Sequence, residues 1–108
     1  MPNQQPAYLV GNFTVNDPLL MEEYVRKAGP LVLQHGGKMM LSAEAVTPVE
    51  GHSEPVLVII QFPDMAKANA FYHSEEYAPL KQIRIEATTG GFLILTQGLS
   101  ADLNLEAR

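Results

Sequence analysis

Cysteine and tryptophan are both missing from the 108 residues. Without thiols the chain carries no disulfide scaffold, no cysteine nucleophile and no thiolate-bound zinc. Aromatic recognition must therefore come from four Tyr and four Phe. Positive charge is scarce too: seven Lys and Arg against twelve Asp and Glu leave a formal net charge of −5. That deficit argues against nucleic acid or an anionic membrane as partner, because both are held by basic surface. The opening Met1-Pro2-Asn3-Gln4-Gln5-Pro6 is polar and uncharged, with no apolar stretch behind it long enough to export or anchor the chain. A cytoplasmic protein is expected, in which the sequon Asn12-Phe13-Thr14 carries no weight. What remains is apolar. At 46% hydrophobic and 18% charged, the chain can build one core and is too short for two. The expected organisation is a disordered head over residues 1–6, a single domain over 7–99 and a weakly patterned tail over 100–108.

Residues 7–15 (AYLVGNFTV) are rich in strand formers and read as a first strand. Asp17-Pro18 then supplies a helix N-cap followed by proline at the first helical position. Leu20, Tyr24, Ala28, Leu31 and His35 fall at helical spacing on one face. Gly29-Pro30 is expected to kink or break that helix, and Gly36-Gly37 to end it with Gly36 in the left-handed cap. Residues 38–46 (KMMLSAEAV) read as a second strand with Met39, Leu41, Ala43 and Ala45 on one face. Residues 47–55 (TPVEGHSEP) are turn-rich, and 56–62 (VLVIIQF) carry the strongest strand signal. Asp64 caps a second helix running to about His73. Ser74 starts a further helical piece ending near Ala87, and a fourth strand follows at 92–96 (FLILT). The order strand–helix–strand–strand–helix–strand is the α+β split βαββαβ arrangement, a four-stranded antiparallel sheet with two helices on one face.

Two helices cover only one face of such a sheet, and an uncovered face should alternate to polar residues. Val56, Leu57, Val58, Ile59 and Ile60 are apolar at successive positions, and Phe92, Leu93, Ile94 and Leu95 repeat the pattern. Leaving such side chains in water forgoes roughly 1.5–3 kcal/mol each. A second copy across a two-fold axis is the simplest cover. The rival cover is the tail of residues 99–105, too short to span four strands.

Tyr8, Asp17-Pro18, Tyr24, Pro30, His35-Gly36-Gly37, Phe62-Pro63-Asp64, Ala68, Phe71-Tyr72, Ser74, Tyr77, Leu80-Lys81, Arg84 and Gln97-Gly98-Leu99 occur in this order. The pattern resembles the family called domain of unknown function 1330, within the ferredoxin-like, dimeric α/β-barrel superfamily. One departure is Phe71, where a residue such as Trp is commoner. The resemblance runs from Tyr8 to Leu99 and implies the fold and a homodimer through the sheet face. It implies no reaction and no cofactor. Other branches of the superfamily include cofactor-free oxygenases, lactone isomerases, haem-dependent enzymes and small-ligand regulatory domains, and fold alone does not choose among them.

Two constellations carry the chemistry. His35 closes the first helix, where an imidazole can serve as general base or simply cap the last carbonyls. Tyr72, Ser74, Tyr77 and Arg84 make the second. Two phenols and a guanidinium can hold a carboxylate or enolate and donate to developing charge, or the rings can be core and Arg84 paired with an acidic neighbour. Tyr24, on the apolar face of helix one, can reach the same edge with its hydroxyl. His73 beside Glu75 and Glu76 has no second histidine at ligand spacing, so no metal site is expected. The expected function is a cleft for a small, partly apolar organic acid or aromatic molecule. His35 and Arg84 are its catalytic candidates, and Tyr24, Tyr72, Ser74 and Tyr77 its ligand-binding ones. Cofactor-free proton transfer or oxygenation is the chemistry open to it. Non-catalytic ligand binding and a purely structural dimer are the rivals, so whether the protein is an enzyme stays open.

Overall fold

The computed structural model describes residues 5–98. Most of the expected head, and all of the expected tail with its suggested path across the sheet, lie outside them. The described chain runs β1 (Ala7–Val15), α1 (Pro18–Gln34), β2 (Lys38–Ala43), β3 (Val56–Phe62), α2 (Met65–Tyr72), α3 (Tyr77–Ala87) and β4 (Thr88–Gln97). The strands form one four-stranded antiparallel sheet in the order β2-β3-β1-β4. That order is the split βαβ topology read from the sequence. The second crossover is divided into two helices, so three helical pieces accompany the sheet.

Asp17 caps α1 through its side chain, which accepts from the Leu20 N–H at 3.1 Å. Of the kink or break expected at Pro30, the break does not occur. The helix continues to Gln34 with Pro30 inside it. Both Pro30 and Arg26, whose carbonyl loses its partner, are exposed, so water takes up the orphaned acceptor. Gly36 then adopts the left-handed conformation (φ 79°) and lets the Gly37 N–H return to the Val32 carbonyl at 2.8 Å.

The core lies between the helices and one face of the sheet. Leu9, Ile60 and Phe62 meet Ala28 and Leu31 of α1, Ala68 and Phe71 of α2, and Tyr77 and Leu80 of α3. Register fixes which strand residues share this face. Leu9 lies opposite both Ile60 and Leu95, and Gly11 opposite both Val58 and Leu93. The opposite face carries Val10, Leu57, Ile59, Phe92 and Ile94. A register shift in β2 separates Met39, opposite Ile60, from Leu41, opposite Ile59. The extra residue, Met40, therefore sends Met39 toward the helices and Leu41 to the open face, where simple alternation had placed both together.

β4 begins at Thr88, earlier than expected, directly after α3 and through Gly90 and Gly91. Both glycines have positive φ (73° and 70°), and a Cβ on Gly91 would overlap the Asn12 carbonyl. The register of β1 against β4 shifts between Asn12 and Thr14. Asn12 is the one buried polar residue there. Its amide donates to the Glu54 and Val56 carbonyls (3.0 and 2.8 Å), and its oxygen accepts from the Glu54 N–H at 3.0 Å.

Gly51 also has a positive φ (77°) but faces open space. Gly91→Ala should therefore cost about 3 kcal/mol of stability and Gly51→Ala only about 1 kcal/mol, compared by urea denaturation. Equal losses would show that left-handed backbone, not the close approach of the strands, sets the requirement at Gly91.

Candidate functional site

α1 packs most closely against α3, and between α1 and the helix-side face of the sheet lies a cavity of about 520 Å³. Its floor is Leu9, Gly11, Val58, Ile60 and Leu93 of the sheet, and α1 forms its roof. Gly11 keeps the floor low in the middle of β1, since a Cβ there would press on Leu93 and Phe13 at 3.1 Å. Exposed Val25, Leu33 and Met39 stand around the mouth. The lining is almost wholly apolar. Its exceptions are Ser42, the Tyr24 hydroxyl and Arg84.

Tyr24 comes from α1 and Arg84 from α3, and Tyr77 joins them from below. Tyr77 has no solvent exposure, and its ring packs on Phe71 with centroids 4.6 Å apart. Its hydroxyl lies 2.8 Å from that of Tyr24 and accepts from Arg84 Nε at 3.3 Å. Tyr77 and Arg84 meet because they stand seven residues apart on one helix. Ser74 sets where that helix begins, accepting from the Tyr77 N–H at 3.2 Å while donating to the Phe71 carbonyl at 2.9 Å. Burial, reinforced by the adjacent Tyr77 phenol, pushes the Tyr24 hydroxyl far above its ordinary value of 10.0, and the Arg84 charge opposes this only weakly. Tyr24 is thus a neutral hydrogen-bonding group.

Of the residues singled out in the sequence, Tyr24, Tyr77 and Arg84 are brought together at the cavity. Tyr72 stands behind them, its ring 5.5 Å from that of Tyr77 and covered by Lys81 Nζ at 4.5 Å from its centroid. It does not line the cavity, and neither does His35. The His35 ring lies edge-on to Phe71 with its Nδ1 3.0 Å from the Leu31 carbonyl. Because a carbonyl only accepts, Nδ1 carries the proton in this contact, and the ring caps the last turn of α1. Gly11 and Ser42 went unnoticed in the sequence. A glycine in mid-strand was the available signal for the first, and the β2 register shift hid the second. Among the described residues, no group of three His, Asp or Glu side chains gathers as metal ligands. No helix among them is long and apolar enough to cross a membrane.

Sheet order, helix placement and the cavity under α1 define a ferredoxin-like α+β domain. The chain belongs to the family described as Domain of unknown function (DUF1330), whose model matches residues 6–98. It is similar to the crystal structure of RPA0582, a protein of unknown function from Rhodopseudomonas palustris, at 17% identity and TM-score 0.75 over 90% of this chain and 85% of that one. It is also similar to SnoaB, a cofactor-independent oxygenase from Streptomyces nogalater (15% identity, TM-score 0.61, 94% and 97% covered). A third likeness is to a dimeric protein of unknown function with a ferredoxin-like fold from Bacteroides fragilis (10% identity, TM-score 0.55, 87% and 96% covered). No curated protein matches the sequence.

A phenol whose ionisation is suppressed by folding stabilises the folded state fully below its unfolded value and loses that contribution as pH rises beyond it. The stability of the protein should therefore fall toward that of Tyr24→Phe above pH 10, by up to about 1.4 kcal/mol per pH unit, in paired urea melts. A constant difference between the two from pH 8 to 11 would show that Tyr24 ionises as readily folded as unfolded.

Proposed function

We propose that this protein is a homodimer that binds a small, partly apolar organic anion in the cavity between α1 and the sheet. Arg84 is the observation that carries the reading. A guanidinium keeps its charge at any physiological pH, and holding one half-buried among apolar side chains without a counter-charge is unfavourable. Among the described residues the ion pairs are Lys27–Glu23 and His52–Glu54, and Arg84 takes part in neither. Its bonded partner is the neutral Tyr77, so its positive charge is left for whatever enters the cavity. About 520 Å³ accommodates a bicyclic or short-chain molecule.

Catalysis is not required by this reading. Among the described residues no carboxylate or imidazole lines the cavity, so the chemistry it favours is stabilisation of an anion away from water, not abstraction of a proton by a side chain. Cofactor-free proton transfer or oxygenation, the kind of activity named for SnoaB, would have to draw on that stabilisation. The acidic balance and the absence of thiols fit a cytoplasmic protein that engages neither nucleic acid nor membrane.

The homodimer is supported by the face opposite the helices. Val10, Leu57 and Ile59 form its centre, and Leu41, Phe92 and Ile94 are each at least 40% exposed around them. A second copy is the occupant whose chemistry matches an apolar sheet face of this width.

Titration with 2-naphthoate and its neutral analogue 2-naphthalenemethanol tests the site. The acid should bind more tightly, and Arg84→Gln should weaken it by about 10–100-fold while leaving the alcohol unchanged. Equal affinities for acid and alcohol in the unmodified protein would overturn the reading. For the dimer, Ile94→Glu should convert a sedimenting dimer to a folded monomer. A monomer before substitution would remove the second copy from the proposal.

A further inference from the structure

The hydroxyl of Tyr77 is fully buried and has two hydrogen-bond partners, Arg84 Nε and the Tyr24 hydroxyl. A guanidinium nitrogen has no lone pair to offer, so toward Arg84 the Tyr77 oxygen can only accept. Its single hydrogen must then go elsewhere. With no water at a fully buried atom, the acceptor within reach is the Tyr24 oxygen at 2.8 Å. Reversing that bond would leave a buried donor without a partner, which proteins avoid. The direction of the chain is thereby set: Arg84 donates to Tyr77, and Tyr77 donates to Tyr24. Tyr24, which lines the cavity, is left with a hydrogen that no other described residue accepts.

We infer that Tyr77 is a positioning residue that directs the Tyr24 hydrogen and the Arg84 guanidinium toward the ligand as a pair of donors, so that the cavity selects the ionised form of a weakly acidic hydroxyl, such as a phenol or enol, over its neutral form. This rests on the anion-binding reading above and names the chemistry the anion would have. Arg84 offers no acceptor to a ligand's own O–H and the Tyr24 oxygen is already engaged by the Tyr77 hydroxyl, whereas an oxyanion satisfies both donors. The step is simple in its balance. The ligand O–H bond breaks, its electron pair stays on oxygen, and the proton leaves to water. The surrounding groups agree with this polarity. Tyr72 and Lys81 lie behind Tyr77, and the carboxylates of Glu22 and Glu44 line only an adjoining hollow.

The probe is 7-hydroxy-4-methylcoumarin, whose phenol and phenolate absorb at different wavelengths, with 7-methoxy-4-methylcoumarin as the analogue that cannot ionise. Bound to the protein, the hydroxycoumarin should titrate at least one pKa unit lower than free in solution, equivalent to at least tenfold tighter binding of the phenolate. Tyr77→Phe should abolish most of that shift while leaving the affinity for the methoxy analogue within about twofold. Tyr24→Phe, which removes the terminal donor but keeps the Tyr77–Arg84 bond, should lower the shift as well, and it covers the case in which Tyr77→Phe fails to fold. Binding of both coumarins with no downward shift would overturn this inference and leave the small-ligand cavity standing. A Tyr77→Phe protein that loses both coumarins in equal proportion would overturn it as well, reducing Tyr77 to packing. Failure of the unmodified protein to bind either coumarin would remove both readings together.

Discussion

A phenol taken wholly out of water has to find partners for its oxygen and its hydrogen inside the protein, and Tyr77 finds them on two different helices. That requirement joins α1 to α3 through a 2.8 Å contact between hydroxyls, and it holds Arg84 against the same oxygen. The ring of Tyr77 continues the constraint into the core, packing on Phe71, which packs in turn on Phe62 of β3 and on the His35 ring at the end of α1. Position and polarity of the cavity wall are thus consequences of one residue's burial. Aromatic contacts supply the geometry, and the hydroxyl supplies the polarity.

The two faces of the sheet serve different ends with nearly the same composition. On the helix side, Gly11 withdraws side-chain volume from the middle of β1, and a hollow remains where Leu9, Val58, Ile60 and Leu93 would otherwise close over it. On the other side, Leu57, Ile59, Phe92 and Ile94 present an apolar surface with Asn12 of β1 between Leu57 and Phe92. An open apolar face and a hollow one are hard to tell apart by hydrophobicity alone, because both faces of β3 are apolar.

Much of this architecture is written locally. β1 and β3 lie where their β-branched and aromatic runs put them, and the Asp-Pro and Asp64 caps start α1 and α2 where a side-chain acceptor is needed. Tertiary effects account for the rest. α1 runs through Pro30 without a break, its orphaned Arg26 carbonyl belonging to an exposed residue. The bulge at Met40 reverses the side of the sheet to which Leu41 belongs, which alternation cannot foresee. In the site, the Tyr77–Arg84 pair was readable from helical spacing. The Tyr24–Tyr77 contact spans 53 residues and was not. His35 shows the converse: its residue type suggested chemistry, and its position after the last turn of a helix gives it a carbonyl to cap.

The junction of α3 and β4 has no connecting residues at all. Ala87 ends the helix and Thr88 opens the strand, with the Thr88 hydroxyl donating to the Arg84 carbonyl at 2.8 Å and the Asn16 N–H to the Ala87 carbonyl at 2.8 Å. Arg84 is consequently carried on a splice with no slack, since an added or lost residue there would either slide β4 out of register with β1 or turn α3 as a whole. The twelve residues between β2 and β3 are under no such restriction beyond the anchorage of Glu54. Within this family, differences in chain length should therefore gather in the β2–β3 connection, and the spacing from Tyr77 to the first paired residue of β4 should be kept even where the residues themselves have changed.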